Sequence, residues 1–102
     1  MKRFRLSLSK GAIEDLERLQ DFLLDTNDPL SADFLAFVVD ALDVLTHLPG
    51  ISRPFPDGTR ELIIERGRSG YLAHYWIDRT HDVVRIARIR HQRESGYNER
   101  EI

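Results

Sequence analysis

The residues best equipped for chemistry lie near the C-terminus, in VVRIARIRHQRESGY, residues 83–97. Arginine recurs there at Arg85, Arg88, Arg90 and Arg93, with His91 between the last two. A guanidinium group is a planar, permanently charged fork that fits carboxylates and phosphates. Such a series along a strand and its exit has three readings: a solvated face, a grip on an anionic partner, or the charge-stabilising part of an active site. Arg60, Arg66 and Arg68 come from a neighbouring strand and turn. With Tyr71, Tyr75 and Trp76 they complete one expected basic surface. All ten basic residues after position 50 are arginine, and the only lysines are Lys2 and Lys10. The second half therefore looks built for binding more than for lysine-based proton transfer. The four histidines have no spacing typical of a metal site and there is no cysteine, so no metal and no cofactor are expected.

The charge is uneven along the chain. Residues 1–50 carry 5 basic against 9 acidic residues, −4, and residues 51–102 carry 10 against 8, +2, which together give the net −2. A chain of 102 residues, 41% hydrophobic, suits one domain with a real core. That domain is expected over residues 1–95, with 96–102 as a polar tail. The lack of cysteine fits a reducing cytoplasm. No apolar run approaches the roughly 20 residues that span a bilayer, so no membrane partner is expected.

Residues 3–8, RFRLSL, alternate polar and apolar and predict a half-buried strand with Phe4, Leu6 and Leu8 on one face. Ser9 is a natural N-cap for a helix from about Lys10 to Asp25, with Ile13, Leu16, Leu19 or Gln20, and Leu23 as its apolar stripe. Asp28-Pro29 starts a second helix, which Pro49-Gly50 stops. Its expected stripe is Phe34, Val38, Ala41, Leu45 and Leu48, broadened by Leu35, Phe37 and Leu42. The short TNDP link folds the two helices into an antiparallel hairpin. Strands are then predicted over Arg60–Arg66, Tyr71–Ile77 and Val83–Arg90, joined by GRSG and DRTHD turns. The resulting order, β-αα-βββ, predicts a two-layer α+β domain: an N-terminal strand, an α-helical hairpin and a three-stranded antiparallel meander.

In the last strand both alternation phases are apolar: Val84 and Ile86 in one, Val83, Ala87 and Ile89 in the other. Either both faces are partly covered or a bulge near Ala87 resets the register. In the simple register Arg88 and Arg90 share the Val84/Ile86 face, while Arg85 and His91 lie opposite.

Over nearly its whole length the chain resembles the RelE/ParE superfamily of toxins from bacterial type II toxin–antitoxin modules, and most nearly the ParE branch. The resemblance is carried in order by SKGAIEDLERLQDFL, DALDVLTHLPGISRP, RELIIERGRSGYLAHYWID and VVRIARIRHQRESGY. LPGISRP, GRSGY and IRHQRESGY are its most specific segments. It implies a bacterial cytoplasmic toxin that inhibits DNA gyrase by protein–protein contact. It also implies a cognate ParD-like antitoxin whose acidic C-terminal segment neutralises the toxin, and a toxin–antitoxin hetero-oligomer. On that reading Arg60, Arg66, Arg68, Tyr75, Arg85, Arg88, Arg90, His91 and Arg93 bind the antitoxin or the target.

The alternative from the RelE branch is a ribosome-dependent mRNA endoribonuclease. Such members surround the scissile phosphate with basic residues and a Tyr or His that move protons and stabilise the phosphorane. This chain has no lysine after Lys10 to match the best-known set. Its recruits would be Glu65 as base, Arg88 or Arg90 as phosphate clamp, and His91 or Tyr97 as acid, with Glu61 and His74 nearby. Phe22, Leu23, Leu24 and Phe37 exceed what one helical stripe needs. Some of them are expected at the surface for an amphipathic partner segment, beside the hairpin or at an open sheet edge.

Overall fold

The computed structural model describes residues 2–67 and 69–94, so Arg68, Tyr97 and the 95/96 domain boundary lie outside it. The elements run β1 (Arg5–Leu8), α1 (Lys10–Asp25), α2 (Phe34–Leu42), β2 (Arg53–Pro54), β3 (Arg60–Arg66), β4 (Ser69–Asp78) and β5 (Val83–His91). The strands form one sheet in the order β1-β5-β4-β3-β2. The expected meander is its centre, with antiparallel β3–β4 and β4–β5 pairs. Two features extend it. The N-terminal strand joins β5 in parallel, Leu6 opposite Val84 and Leu8 opposite Ile86, and a two-residue strand at Arg53–Pro54 adds an antiparallel edge to β3.

Ser9 caps α1 as its sequence position predicts: its hydroxyl accepts from the Ala12 N–H at 3.0 Å and donates to the Ala87 carbonyl at 2.7 Å. The buried side of α1 is Ala12, Asp15, Leu16, Leu19 and Leu23, whereas Ile13, expected in the stripe, is 49% exposed. The second helix is shorter than its apolar spacing suggests. Residues Pro29–Ala32 and Asp43–Thr46 are 3-10 turns that flank a true helix at Phe34–Leu42. Local side chains compete with the helical ladder at both ends. Asp28 accepts from the Leu30 N–H, and the Thr46 hydroxyl donates back to the Asp43 carbonyl. The core therefore takes Leu30, Phe34, Val38, Leu42 and Leu45, while Leu35 and Leu48 remain exposed.

The two apolar phases of β5 are reconciled by a bulge. The β4–β5 register passes from Tyr75↔Ile86 to His74↔Arg88 and leaves Ala87 as the extra residue. That reset lets Val84, Ile86 and Ile89 all become fully buried in one core. The simple-register placement of Arg88 and Arg90 beside Val84 and Ile86 is thereby corrected.

Candidate functional site

The bulge lies where β1 ends. Beyond Ile86 the free side of β5 is met by α1 in place of a strand, and α1 supplies side chains where a neighbouring backbone would stand. Asp15, its side chain 4% exposed, accepts the Ile89 N–H at 2.8 Å. The same carboxylate accepts Arg88 as a fork, from Nε at 2.8 Å and Nη2 at 3.0 Å. Arg88 is thus committed to the fold. Arg85 is likewise engaged, its Nε 2.9 Å from the Asp78 carboxylate and its guanidinium 5.8 Å above the Trp76 ring centre. Burial alone would raise the Asp78 pKa, but hydrogen bonds from His81 and Arg85 outweigh it and hold the carboxyl below its usual range.

The remaining candidates divide by position. Arg60 donates to the Gly50 and Ser52 carbonyls at 3.1 and 2.8 Å and holds the link into β2. Tyr75 does not belong to a binding surface: it is fully buried, and its hydroxyl donates to the Pro49 carbonyl at 2.7 Å and meets the Ser52 hydroxyl. Burial pushes its pKa up, against smaller opposing effects from Ser52 and Arg60. Arg90 bonds the Glu94 carbonyl. Arg66 is exposed and sits 5.5 Å over the Phe37 ring centre. Arg93 is exposed, and its backbone N–H donates to His91 Nδ1 at 3.1 Å. Among the described residues, Arg60, Arg85, Arg88 and Arg90 are thus bonded within the fold, while Arg66 and Arg93 are exposed.

His91 belongs to a groove of about 480 Å³ between the second half of α1 and the end of β5. Leu19, Leu23 and Tyr71 floor it, Phe22 (65% exposed) forms a wall, and Arg18, Asp28, Arg93 and Glu94 ring it. The His91 ring meets Tyr71 edge-on at 5.2 Å. Burial, then the Arg93 cation, lower its pKa below the ordinary histidine value, and Glu94 only partly opposes them. Glu94 ties the groove together: it accepts Arg18 Nη1 at 2.6 Å and the His91 N–H at 2.8 Å. Of the apolar residues expected at the surface, Phe22 and Leu24 are exposed, Phe37 is half-buried, and Leu23 is buried.

Register separates the candidate catalytic groups. Ile64, Tyr71 and His91 are cross-strand partners in one row. Ile64 and Tyr71 both enter the core, so that row faces the helices. Glu65 is the next residue along β3, exposed, and projects from the opposite face. Glu65 and His91 therefore project from opposite faces of the sheet, Arg88 is held by Asp15, and Tyr97, the other candidate acid, lies outside the described residues. His74 Nε2 lies 2.8 Å from the Thr59 hydroxyl, beside Phe55. Among the described residues no three His, Asp or Glu side chains converge as metal ligands would, and no helix is long and apolar enough to cross a membrane.

Sequence reasoning missed Asp15, Arg18, Asp28 and Glu94. One signal was available: Asp15 occupies a core position of the α1 stripe, where a carboxylate requires a buried partner.

Residues 6–96 match the family described as the ParE toxin of the type II toxin–antitoxin system parDE. The chain belongs to the ParE toxin family. No curated protein sequence matches it as a relative. Solved structures that share the fold of this ParE-family toxin include chains of two toxin–antitoxin systems. A chain of the chromosomal ParDE system from P. aeruginosa has a TM-score of 0.71 at 22% identity, over 87% of this chain and 96% of that one. A chain of the RelBE2 toxin–antitoxin complex from Mycobacterium tuberculosis has a TM-score of 0.56 at 22% identity, over 88% and 99% respectively.

Proposed function

We propose that this ParE-family toxin acts in the bacterial cytoplasm by binding DNA gyrase, without chemistry of its own, and is silenced by a ParD-like antitoxin in a hetero-oligomer. The observation that carries the contact reading over the ribonuclease reading is the register of β3, β4 and β5. It puts Glu65 and His91 on opposite faces of the sheet. General acid and base must both reach one substrate to act together.

The groove bounded by Phe22, Tyr71, His91 and Arg93 suits an antitoxin segment with one apolar anchor and nearby carboxylates. Arg93 and the exposed Arg66 supply cations for such a segment, since Arg60, Arg85 and Arg88 are spent within the fold.

The test is plasmid supercoiling by purified gyrase in the presence of the partner-free protein, run beside translation on purified ribosomes. Arrest of supercoiling with accumulation of cleaved DNA is expected, while translation continues. Intact supercoiling with message cleaved on ribosomes would replace this reading with the RelE-type one.

A further inference from the structure

The β2–β3 hairpin carries a second cavity, of about 400 Å³, lined by Phe55, Pro56, Asp57, Thr59, Glu61 and His74. Ala73 and Tyr75 enter the core, so His74 between them faces away from the helices, and Glu61 is its cross-strand partner. The hairpin loop is tight. The Phe55 N–H donates to the Thr59 carbonyl at 2.8 Å, and Gly58 takes φ +90°, which glycine adopts without strain. Phe55 meets the His74 ring edge-on at 5.7 Å and, with Pro56, supplies the apolar wall.

The polar groups of the lining orient one another. Thr59 donates its hydroxyl proton to Asp57 at 2.6 Å and its backbone N–H to the same oxygen at 2.9 Å. Those bonds hold the Asp57 carboxyl below its usual range. With its proton given to Asp57, the Thr59 hydroxyl accepts from His74 Nε2 at 2.8 Å. These donors are spent on their neighbours, and the two carboxylates remain to receive a ligand.

Glu61 decides what that ligand is. It is only 6% exposed, and a carboxylate so buried requires a compensating cation. Arg53 supplies one from the rim, Nη2 to Oε1 at 2.7 Å, with its side chain 62% exposed and its guanidinium 5.9 Å over the Phe55 ring centre. A guanidinium between a carboxylate and an aromatic ring is thus chemistry that this rim already holds. Asp57 and Glu61 against Arg53 leave the site one net negative charge. The strand continues the pattern. Glu61, Ile63 and Glu65 share one face of β3, with Ile63 51% exposed and Glu65 exposed, about 6.6 Å between successive members.

We infer that the cavity and the β3 row beside it receive an extended basic segment of a partner protein. One arginine of that segment enters the cavity against Asp57, Glu61 and Phe55. Its next alternate residues, one apolar and one basic, lie over Ile63 and Glu65. An acidic segment meets like charge at Asp57 and Glu65 and is excluded. The inference does not rest on the gyrase reading, and the site lies across the sheet from the groove, whose Tyr71 and His91 share the helix-facing row.

The probe is a capped peptide, Arg-Thr-Val-Thr-Lys, titrated by NMR into the isotope-labelled full chain. Its controls are a twin with citrulline in place of arginine, which keeps the shape and removes the charge, and N-acetylarginine methylamide alone. The peptide is expected to shift the amides of Phe55, Asp57, Thr59, Glu61, Ile63 and His74 and to bind at least about tenfold more tightly than either control. Its affinity should fall severalfold as salt rises from about 0.05 to about 0.5 M. Asp57→Asn keeps an acceptor for Thr59 and should weaken binding about tenfold with the thermal midpoint unchanged, because the side chain is exposed. Phe55→Leu should weaken it severalfold. Equal binding of the citrulline twin, shifts confined to the groove around His91, or an unshifted spectrum at about 10 mM peptide would overturn the proposal. So would equal affinity of the single arginine derivative, which would assign the cavity to a small guanidinium compound.

Discussion

At Asp15 a single carboxylate closes the open side of a strand. It accepts the Ile89 N–H and the Arg88 fork within 3.0 Å, with Arg18 at 3.5 Å. Removing one member of a buried ion pair strands the other, which costs about 3–5 kcal/mol. Arg88→Ala should therefore lower the unfolding free energy by about 3 kcal/mol, as read from urea denaturation. Arg88→Lys should recover little, because an ammonium cannot make the fork. Tyr75→Phe should cost about 1–2 kcal/mol, since it leaves the Pro49 carbonyl without its buried donor. His91 supplies a pH dependence of definite sign. Its folded pKa lies below the unfolded value, so the fold favours the neutral ring. That contribution is complete above the unfolded pKa of about 6.5, and is lost as pH falls through it toward the folded value. Urea midpoints should drop between pH 7.5 and 5.5, and His91→Gln should flatten part of that drop.

At the scale of elements, the turn that follows α2 offers a sharp contrast. Leu45 is fully buried and Leu48 is 52% exposed, although both fit one apolar spacing. Leu45→Ala should cost about 2–5 kcal/mol, and Leu48→Ala no more than about 0.5 kcal/mol. Helical periodicity read over residues 29–48 cannot separate them, because the 3-10 turn at Asp43–Thr46 changes the angular step. The strands were more legible. RELIIER is β3 residue for residue, and the conflict between phases in β5 announced the bulge at Ala87. The partner of β1 was not legible, since a four-residue strand carries no mark of the strand 78 positions away that receives it. The site was legible in its residue types but not in its partners. An arginine looks the same in sequence whether it faces Asp78, Asp15 or solvent.

Across the whole molecule, the arginines divide into those bonded within the fold, Arg60, Arg85 and Arg88, and the exposed Arg66 and Arg93. Arg66→Glu and Arg93→Glu change exposed cations, so thermal midpoints should hold while affinity for an acidic, antitoxin-like peptide falls, as calorimetry would show. Arg88→Ala should do the reverse.

The parallel pair of β1 with β5 has a consequence for how the chain comes into being. Leu6 finds its neighbour only when Val84 exists, and Asp15 only when Arg88 and Ile89 do. Contacts so distant in sequence close late and slowly. During synthesis the helical hairpin must wait on the ribosome with its apolar side unpaired, and no truncated nascent chain can complete the sheet. A cell translating this message is exposed to a finished toxin only once the last strand has emerged.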